Sequence, residues 1–506
     1  MTLQTDTRSG QMTQAKLEST LWAAANSLRG PVDPGDFKAY VFPVMFFKWI
    51  SDNWDYERRQ AVVDLGDDVT AEEEADYHTF AIPSGCHWKD VHTTVVNVGA
   101  KLYKSLQLIQ QANPENLTGV FGDVNWANTE RLPETSLVSL LDTFHGVTLN
   151  PERVTGDMLG SAYEYLLREF AEASGKKAGE FFTPRHVVHL LVKILDPQSE
   201  ETIVDPACGS GGMLIETVNA VKDAGGDTRT LRLHGQEINL TTSAIAKMNL
   251  FLHGLKDFKI VRGDTFREPK LLDGDRLQKF DVVIANPPFS LQNWGAETWA
   301  KDPYGRAFCG VPPAKNGDFA WIQHMVSTMK ENTGRVGIVM PHGVLFRGGK
   351  EGAVRECIIN QDKLEAVIGL PNNLFYSTSI PVCLLIFRAD KPAERKDHVL
   401  FIDATKRFSA GKNQNTMSDE DIDVIDAAYK LGIDKDGEGG LNLRLVHADE
   451  IAENNFDLNI GRYLKGETAE EANVEEALIS MREAQDRLAN AQLALDEKLK
   501  AAGFDA

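Results

Sequence analysis

Apolar residues follow a helical spacing through the first third of the chain. Between residues 17 and 28 they recur every three or four positions until a Gly-Pro pair, which predicts one helix there and a second beginning near Asp36. Helical patterns return in LVSLLDTF and GDMLGSAYEYLLREFAEA, whereas no alternating strand pattern of any length precedes about residue 195. Residues 1–165 are therefore predicted to form a helical N-terminal domain.

The pattern changes in the next segment, 166–410, where short β-branched runs alternate with stretches long enough to hold a helix. Thr183 and Pro184 predict a helix start, with the hydroxyl as cap and the proline at the first helical position. Seven candidate strands follow: ETIVD, RLHGQEI, FKIVRG, FDVVIA, RVGIVM, EAVIGL and VCLLIF. This order predicts an α/β fold with a doubly wound sheet. The last two strands have a short connection, and we expect them to form an antiparallel edge.

Three further segments complete the predicted organisation. Residues 290–318 form a long loop rich in glycine, proline and aromatic residues, and loops of that length are usually lids or binding loops. Residues 411–468 are predicted to be a C-terminal extension. In residues 469–506, Met481, Leu488 and Leu495 recur every seven positions on an otherwise charged helix. We expect this amphipathic helix to dock on a partner.

Composition indicates a globular protein of about three domains, with 506 residues and 42% hydrophobic content. The five cysteines share no CxxC spacing, so we expect neither a zinc cluster nor a disulfide framework, and a reducing cytoplasm fits best. The most apolar run, YVFPVMFFKWI, has eleven residues, against about 20 for a membrane helix, so no membrane association is expected.

The net charge of -21 bears on possible partners. Duplex DNA is a polyanion, bound non-specifically through lysine and arginine, so with a DNA substrate another subunit would supply much of the basic surface. Equally, an acidic balance can simply keep an enzyme dispersed in solution.

The stretch TIVDPACGSGGML combines a predicted strand, a carboxylate and a glycine loop. Gly209, Gly211 and Gly212 let the backbone approach a ligand closely, as nucleotide-type cofactors require at the carboxyl ends of parallel strands. Asp205 would repel a pyrophosphate, and the third glycine of the dinucleotide fingerprint is absent. The carboxylate instead suits a cationic ligand such as the ammonium group of S-adenosylmethionine. A tight turn without a ligand is the alternative for this loop alone.

Two more acids end the next predicted strands. Glu237, after the second strand, is placed to accept hydrogen bonds from ribose hydroxyls, and Asp264, after the third, could accept from an adenine amine. Each acid by itself could be a solvated loop residue. Three successive strands that each end in an acid, ahead of a fourth that ends in NPPF, favour a cofactor site.

The segment NPPF, residues 286–289, ends the fourth strand because proline cannot donate to a β-ladder. Adenine's amino nitrogen is a poor nucleophile while its lone pair is delocalised into the ring. The Asn286 side-chain oxygen and the Pro287 carbonyl can accept the two N–H groups, Pro288 fixes the turn, and Phe289 can stack on the base. An amine paired inside a duplex must first be flipped out. A turn that merely ends a strand is the alternative.

In these motifs the chain resembles the modification (methyltransferase) subunits of type I restriction-modification systems. DPACGSGG and NPPF occur in the order of the gamma-class amino-methyltransferases, and EFFTPR is similar to the family's cofactor segment. LWAAANSLRG, FFKWISD, GVLFRGG and LPNNLFYSTSIPVCLLIF also resemble that family, so the similarity covers nearly the whole chain.

The resemblance implies site-specific methylation of adenine in double-stranded DNA by a methyltransferase core that uses S-adenosylmethionine. Its partners would be a specificity subunit that reads the DNA and a restriction subunit for cleavage, with two modification subunits per specificity subunit. It implies that Asn286, Pro287, Pro288 and Phe289 hold the adenine. The implied cofactor contacts are Glu180, Phe181, Phe182, Thr183, Pro184, Arg185, Ser210, Gly211, Gly212 and Glu237.

Several other functions share parts of this pattern. A self-contained DNA adenine methyltransferase, or an enzyme that methylates a protein glutamine or an RNA base, could carry the same core. Cytosine ring-carbon methylation is disfavoured, because it needs a cysteine nucleophile, commonly after proline, and the chain has no Pro-Cys dipeptide. A non-catalytic scaffold is disfavoured by the intact NPPF segment. The sequence leaves open the DNA target, the stoichiometry, the preference for hemimethylated sites and the motion of loop 290–318.

Overall fold

The structure is a computed structural model that describes residues 12–67, 69–173, 183–375, 380–411, 414–434 and 440–464, with single positions 482, 485 and 492. Glu180, Phe181 and Phe182 of the expected cofactor segment lie outside the described residues. So does the expected docking helix at 469–506, apart from the three single positions, which are helical and exposed.

The described N-terminal region is helical, as its apolar spacing predicts. The run YVFPVMFFKWI lies within a 29-residue helix and is buried except for Trp49, so it is a core helix. Within the described residues, no helix is long and apolar enough to cross a bilayer. The helices are α1 Gln14–Asn26, α2 Phe37–Leu65, α3 Ala71–Ala75, α4 Trp88–His92, α5 Val98–Ala112, α6 Pro114–Leu117, α7 Glu134–His145 and α8 Gly156–Ala173.

The rest of the described chain forms a nine-stranded mixed sheet with helices on both faces, and a separate small hairpin. Its helices are α9 Arg185–Leu195, α10 Gly212–Asp223, α11 Leu240–Leu252, α12 Ala296–Trp299, α13 Asp318–Thr328, α14 Gly343–Phe346, α15 Lys350–Asn360, α16 Asp419–Leu431, α17 Ala448–Glu453 and α18 Ile460–Tyr463. Its strands are β1 Thr202–Asp205, β2 Arg232–Glu237, β3 Phe258–Arg262, β4 Leu272–Asp273, β5 Arg276–Leu277, β6 Val282–Ala285, β7 Arg335–Pro341, β8 Leu364–Gly369, β9 Val382–Arg388, β10 His398–Asp403 and β11 Asn442–His447.

The sheet has the strand order β11-β10-β8-β9-β7-β6-β1-β2-β3, and β4 pairs with β5 in the hairpin. Neighbouring strands are parallel except at β9 and β11, which run antiparallel to their neighbours. β1 and β6 are neighbours in the middle of the sheet. β2 and β3 extend the sheet on the side of β1, and β7 to β11 extend it on the side of β6, so the strand order switches direction between β1 and β6. Ligands bind at such a switch point, at the carboxyl ends of the parallel strands. The glycine loop after β1 and the NPPF segment after β6 both lie at this edge.

A hydrophobic core covers each face of the sheet. Val282 and Ile284 of β6 pack in one cluster with residues of α9 and α10, while Val283 and Ala285 pack in another with residues of α13. Because successive strand residues point to opposite faces, a strand buried on both sides must be apolar throughout. This is why central strands such as β6, β7 and β9 are nearly continuous apolar runs, whereas β2 and β3 near one edge are not.

All seven strands expected from the sequence are present. The antiparallel pairing of β8 with β9 is confirmed, but its expected place at the edge of the sheet is wrong, since β9 lies between β7 and β8. On that side the sheet continues from β8 through β10 to the edge strand β11, and neither β10 nor β11 was among the strands predicted from the sequence. β11 lies within residues 411–468, so this expected extension adds a strand to the same sheet.

The helical region and the sheet are joined by a shared hydrophobic core. Residues of α11 pack in the same cluster as residues of α1, α2 and α8, and the Tyr163 hydroxyl donates to the Ile245 carbonyl over 3.1 Å. Helix α8 runs without interruption through position 165, where the sequence had placed a domain boundary.

The long loop at 290–318 is packed against the core. Trp294 and Trp299 are each 1% exposed, and the buried Arg306 guanidinium donates to the carbonyls of Thr265 and Phe266, over 2.7 Å in each case. The loop also carries a cysteine, Cys309, that forms a disulfide with Cys357 of α15. The sequence predicted no disulfide framework, and this one disulfide is a departure from that expectation, while Cys86, Cys208 and Cys383 are free thiols. The pair was not recognised because its cysteines are 48 residues apart and share no local spacing.

Candidate active site

The glycine loop, residues 205–212, connects β1 to α10 at the switch point. Gly209 and Gly211 have φ of +53° and +81°, a conformation that glycine adopts without strain. The Gly211 amide donates to the Cys208 carbonyl over 2.8 Å, which closes a tight turn just before α10. The loop thus brings backbone close to the carboxyl edge of the sheet.

Asn249, on α11, hydrogen-bonds to the glycine loop and was not identified as a site residue from the sequence. Its side-chain amide donates to the Ser210 carbonyl over 2.9 Å, and the residue is 1% exposed. Because 39 residues separate donor and acceptor, no local motif marks this role.

Asp205 and Glu237 place two carboxyl groups next to the glycine loop. Asp205 is buried and accepts from the Ala207 amide over 3.0 Å. Glu237 accepts from the Gly209 amide over 3.2 Å and from the Asn239 amide over 2.8 Å. The two acids expected to face a cofactor therefore both contact or adjoin the loop.

Burial changes the protonation of these groups. The pKa of Asp205 is raised to about 8, mainly by burial; the hydrogen bond from the Ala207 amide lowers this pKa and the neighbouring Glu237 raises it, and both effects are included in that value. Burial also raises the pKa of Glu237, against three backbone hydrogen bonds that lower it. The pKa of the Cys208 thiol is raised well above its usual range by burial and by both acids. A positive ligand group would favour the ionised carboxylates, whereas Cys208 is unsuited to be a thiolate nucleophile.

Asp264 follows β3 and makes its contacts within its own loop. One carboxylate oxygen accepts from the amides of Phe266 and Arg267, over 2.9 and 3.1 Å, and the other accepts from the Arg267 guanidinium over 2.9 Å. Its carboxylate is thus fixed at the carboxyl edge, two strands away from β1 on the side of β2.

Asn286 directly follows β6, where the prolines end the strand as expected. Its Nδ2 donates to the Thr183 hydroxyl over 2.8 Å, while its Oδ1 is buried without a hydrogen-bond partner among the described residues. The expected helix start is wrong by one residue, because Pro184 is the N-cap of α9 and Thr183 caps nothing. The Thr183 hydroxyl is instead engaged by the Asn286 amide.

The remainder of NPPF places an aromatic ring at the same edge. Pro287 is buried, Pro288 is exposed and Phe289 is half-buried. The Phe289 ring lies edge-on to Phe375, with ring centres 6.3 Å apart and planes at 69°. Phe375 follows β8 and was not predicted to be near the site, although it belongs to the quoted segment LPNNLFYSTSIP.

One cleft joins the two motifs. Its lining includes residues of the glycine loop, the start of α9 and the end of β6, namely Thr183, Val188, Asp205, Ala207, Cys208, Gly209, Ser210, Gly212, Met213 and Asn286. A ligand bound over the glycine loop would therefore adjoin the free Asn286 oxygen. Pro184 and Arg185 lie beside the cleft at the start of α9. Among the described residues, no group of three or more His, Cys, Asp or Glu side chains could hold a metal ion.

Comparison with known families agrees with this geometry. Residues 154–472 match the family model N-6 DNA Methylase, and residues 17–144 match the HsdM N-terminal domain. The fold, the site and the family model together define a DNA methyltransferase with the fold of S-adenosylmethionine-dependent methyltransferases.

Relatives and solved structures narrow this class. The chain is 33% identical over 485 residues to the type I restriction enzyme MjaVIII methylase subunit of Methanocaldococcus jannaschii, covering 90% of this chain and 78% of that protein. It is 32% identical over 407 residues to the HindI methylase subunit of Haemophilus influenzae, covering 76% and 89%. A crystal structure of the type I methyltransferase subunit from Streptococcus thermophilus superposes with a TM-score of 0.77 at 30% identity, covering 90% of this chain and 100% of that one.

The chain therefore belongs to the N-6 DNA methylase family, as a methyltransferase subunit of the type I restriction-modification kind and an adenine-specific DNA methyltransferase. The matches do not favour the protein-glutamine and RNA alternatives.

Proposed function

We propose that this chain methylates the 6-amino group of a flipped-out adenine at the Asn286 side chain, as the modification subunit of a complex whose specificity subunit selects the DNA site. The proposal rests on one observation, the different contacts made by the two ends of the Asn286 side-chain amide. Nδ2 of Asn286 is engaged by the Thr183 hydroxyl, which leaves Oδ1 buried and free to accept. A buried acceptor without a partner is costly, and an incoming N–H group relieves that cost.

The adenine amine supplies such N–H groups. With one N–H on the Asn286 oxygen and the other on the Pro287 carbonyl, the amino nitrogen becomes more tetrahedral and its lone pair more available. With Nδ2 directed at the Thr183 hydroxyl, Oδ1 is left to face the base; the opposite orientation would present the N–H groups of Asn286 to those of the adenine amine, a donor to a donor. This arrangement exists before the substrate binds, as preorganised catalysis requires.

Phe289 and Phe375 form the aromatic part of the proposed base site. Flipping an adenine out of a duplex costs roughly a few kcal/mol. Stacking on an aromatic ring returns roughly 1 to 3 kcal/mol per base. The edge-on contact of Phe375 restricts the Phe289 ring, so less side-chain freedom is lost when the base binds.

The cofactor would lie over the glycine loop. S-adenosylmethionine supplies a methyl group on a positively charged sulfonium. We assign Asp205 to its ammonium group, Glu237 to its ribose hydroxyls and Asp264 to the adenine end, with Gly209, Ser210, Gly211 and Gly212 giving backbone contact. We also assign the segment EFFTPR, residues 180–185, to cofactor contact, since Thr183 lines the cleft.

The proposed partners follow from charge and family. A chain of net charge -21 needs basic surface from elsewhere to hold duplex DNA. We therefore propose a complex with a specificity subunit, two modification subunits on each, and a restriction subunit for cleavage. The heptad-spaced residues of 469–506 are proposed as the docking helix. Deleting 470–506 should abolish co-purification with the specificity subunit while cofactor binding, measured by calorimetry, persists; co-purification after deletion would remove the docking role.

The site assignment is tested by Asn286→Ala in the intact complex. Methyl transfer to DNA should fall at least about a hundredfold, because the variant loses the amine acceptor, while S-adenosylmethionine affinity stays within about twofold. The matched control is Asn332→Ala. Asn332 is exposed and precedes the first residue of β7, at the end of the sheet opposite to the carboxyl ends of the parallel strands, so this variant should transfer methyl groups normally. Equal activity of Asn286→Ala and the control would remove the proposed mechanism.

A further inference from the structure

The backbone immediately after NPPF is fixed by a residue outside the cleft. Ser290 has a φ of +52°, the left-handed conformation that residues other than glycine rarely adopt. Its amide donates to Oδ1 of Asp318, over 2.7 Å, across 28 residues of sequence. Such backbone conformations persist where surrounding contacts determine them. The contact from Asp318 therefore sets where the NPPF turn ends.

Asp318 is itself fully buried and tightly held. It is the first residue of α13, with a side chain that is 0% exposed, and its own amide donates to the Asn316 side chain over 3.0 Å. The second carboxylate oxygen accepts from the Arg347 guanidinium. A buried carboxylate needs both a counter-charge and hydrogen bonds, and Asp318 has them on both oxygens.

Arg347 is also paired on its other side. Its Nε lies 2.7 Å from Oε2 of Glu351, whose side chain is 4% exposed. Burial raises the pKa of Glu351, while Arg347 lowers it and Asp318 raises it. Asp318, Arg347 and Glu351 thus form one ion-pair network of two carboxylates on one guanidinium. None of the three lines the cofactor cleft.

This network connects the segments that follow two adjacent strands. Ser290 follows β6, whereas Arg347 lies between α14 and α15 in the segment after β7, and β6 pairs with β7. Arg347 belongs to GVLFRGG, a motif for which the active site provides no other role. The network therefore links the NPPF turn to the neighbouring segment of the carboxyl edge.

We propose that Asp318 is a positioning residue for methyl transfer, which sets the NPPF turn through the Ser290 amide, and that Arg347 and Glu351 hold Asp318 in place. The inference rests on the proposed role of Asn286 to Phe289. Because none of the three lines the cleft and the Asp318 side chain is fully buried, we assign them no direct contact with base or cofactor. They act by fixing the turn, so their loss alters the rate of transfer and not the affinity for cofactor.

The test compares Asp318→Ala and Asp318→Asn in the intact complex, on a duplex carrying its mapped methylation site. Asp318→Ala removes the acceptor for the Ser290 amide, and kcat should fall at least about tenfold with KM for S-adenosylmethionine within about twofold. Asp318→Asn keeps an oxygen acceptor but loses the charge that pairs with Arg347, so its kcat should be intermediate.

The control is a buried ion-pair carboxylate elsewhere in the sheet. Glu365 of β8 is 1% exposed and pairs with Arg388 and Arg395, over 3.0 and 3.1 Å. Glu365→Gln should lower the melting temperature without changing kcat. An equal loss of kcat in Glu365→Gln and Asp318→Ala would show a general stability effect and overturn the inference.

A coupling experiment keeps the inference testable if Asp318→Ala does not fold. Arg347→Gln leaves the Asp318 carboxylate buried without its counter-charge, so kcat should fall. The double variant Asp318→Asn/Arg347→Gln has no unpaired buried carboxylate at position 318, so its kcat should return to about the level of Asp318→Asn alone. Additive losses of kcat in the double variant, or wild-type kcat in both Asp318→Asn and Arg347→Gln, would overturn the inference.

The Asn286→Ala variant separates failure of this inference from failure of the proposed function. If Asn286→Ala and the Asp318 variants all keep wild-type activity, the proposed function has failed. If the Asp318 variants keep wild-type activity and Asn286→Ala does not, only the positioning role has failed.

Discussion

Replacing Asp205 by asparagine should stabilise the ligand-free protein. Burial raises the pKa of this carboxyl to about 8 from an ordinary 3.8, so the fold favours the protonated form. Between those two values the folded state binds a proton that the unfolded state has lost, and stability falls as pH rises. At pH 7 the gap is about three pH units, and at about 1.4 kcal/mol per unit the ionisable group costs about 4 kcal/mol.

Asparagine keeps the oxygen that accepts from the Ala207 amide but has no such pH dependence. The advantage of Asp205→Asn over the wild type should therefore grow with pH, by about 1.4 kcal/mol per unit from pH 6 to 7.5, and level off above about 8. With an unfolding entropy of about 2.1 cal/mol/K per residue over roughly 300 to 450 residues that unfold together, the difference in melting temperature should grow by roughly 1.5 to 2.5 °C per pH unit.

The assay is thermal unfolding of the ligand-free chain at a series of pH values. Asp264→Asn is the matched control, since it removes a carboxylate that accepts from the Arg267 guanidinium, and should be no more stable than the wild type. A melting temperature of Asp205→Asn that is equal to or below that of the wild type across the series would refute the reasoning.

The remaining predictions concern cofactor binding and transfer. Below about pH 8, S-adenosylmethionine binding should release a proton from Asp205, seen by calorimetry in two buffers of different ionisation enthalpy, and Asp205→Asn should lose that release. Thr183→Val should slow transfer about five- to tenfold in steady-state kinetics, because the Asn286 amide loses its hydroxyl acceptor. Gly211→Ala should weaken cofactor binding, since a side chain at φ +81° strains the glycine loop; the control Gly225→Ala, at φ +80° beyond α10, should cost stability alone. Phe289→Ala should lose about 1 to 3 kcal/mol of transition-state stabilisation while Phe289→Tyr stays active, with unchanged rates in both contradicting the stacking role.

Local sequence determines much of the fold. Central strands such as β6, β7 and β9 are visible in the sequence because a strand buried on both faces is a continuous apolar run. The glycine loop is visible because its turn, carboxylate and helix start are neighbours in sequence. β10 was missed although Val399 to Ile402 form a continuous buried apolar run, whereas β11 is a largely exposed edge strand and has no such run. The antiparallel insertion of β9 depends on long-range pairing, which apolar runs do not encode.

The candidate site likewise has parts that the sequence predicts and parts that it does not. Each motif could be recognised alone, and the topology of parallel strands predicts that the loops after β1 and β6 meet. Their side-chain partners could not be predicted, since Asn286 finds Thr183 across 103 residues and Ser290 finds Asp318 across 28. The hydroxyl of Thr183 illustrates the difficulty, because local rules assign it to a helix cap while the folded chain gives it to a distant amide.

On the proposed function, Asn286 directs methyl transfer to adenine at sites chosen by another subunit. The most direct measurement is a base-resolved map of methylated adenines in DNA from cells carrying the intact system, compared with cells carrying only the Asn286→Ala version. We expect methylation at a split site with a fixed gap, absent in the variant. A short uninterrupted site would instead indicate a self-contained enzyme, and identical maps would contradict the assignment of adenine methylation to this site.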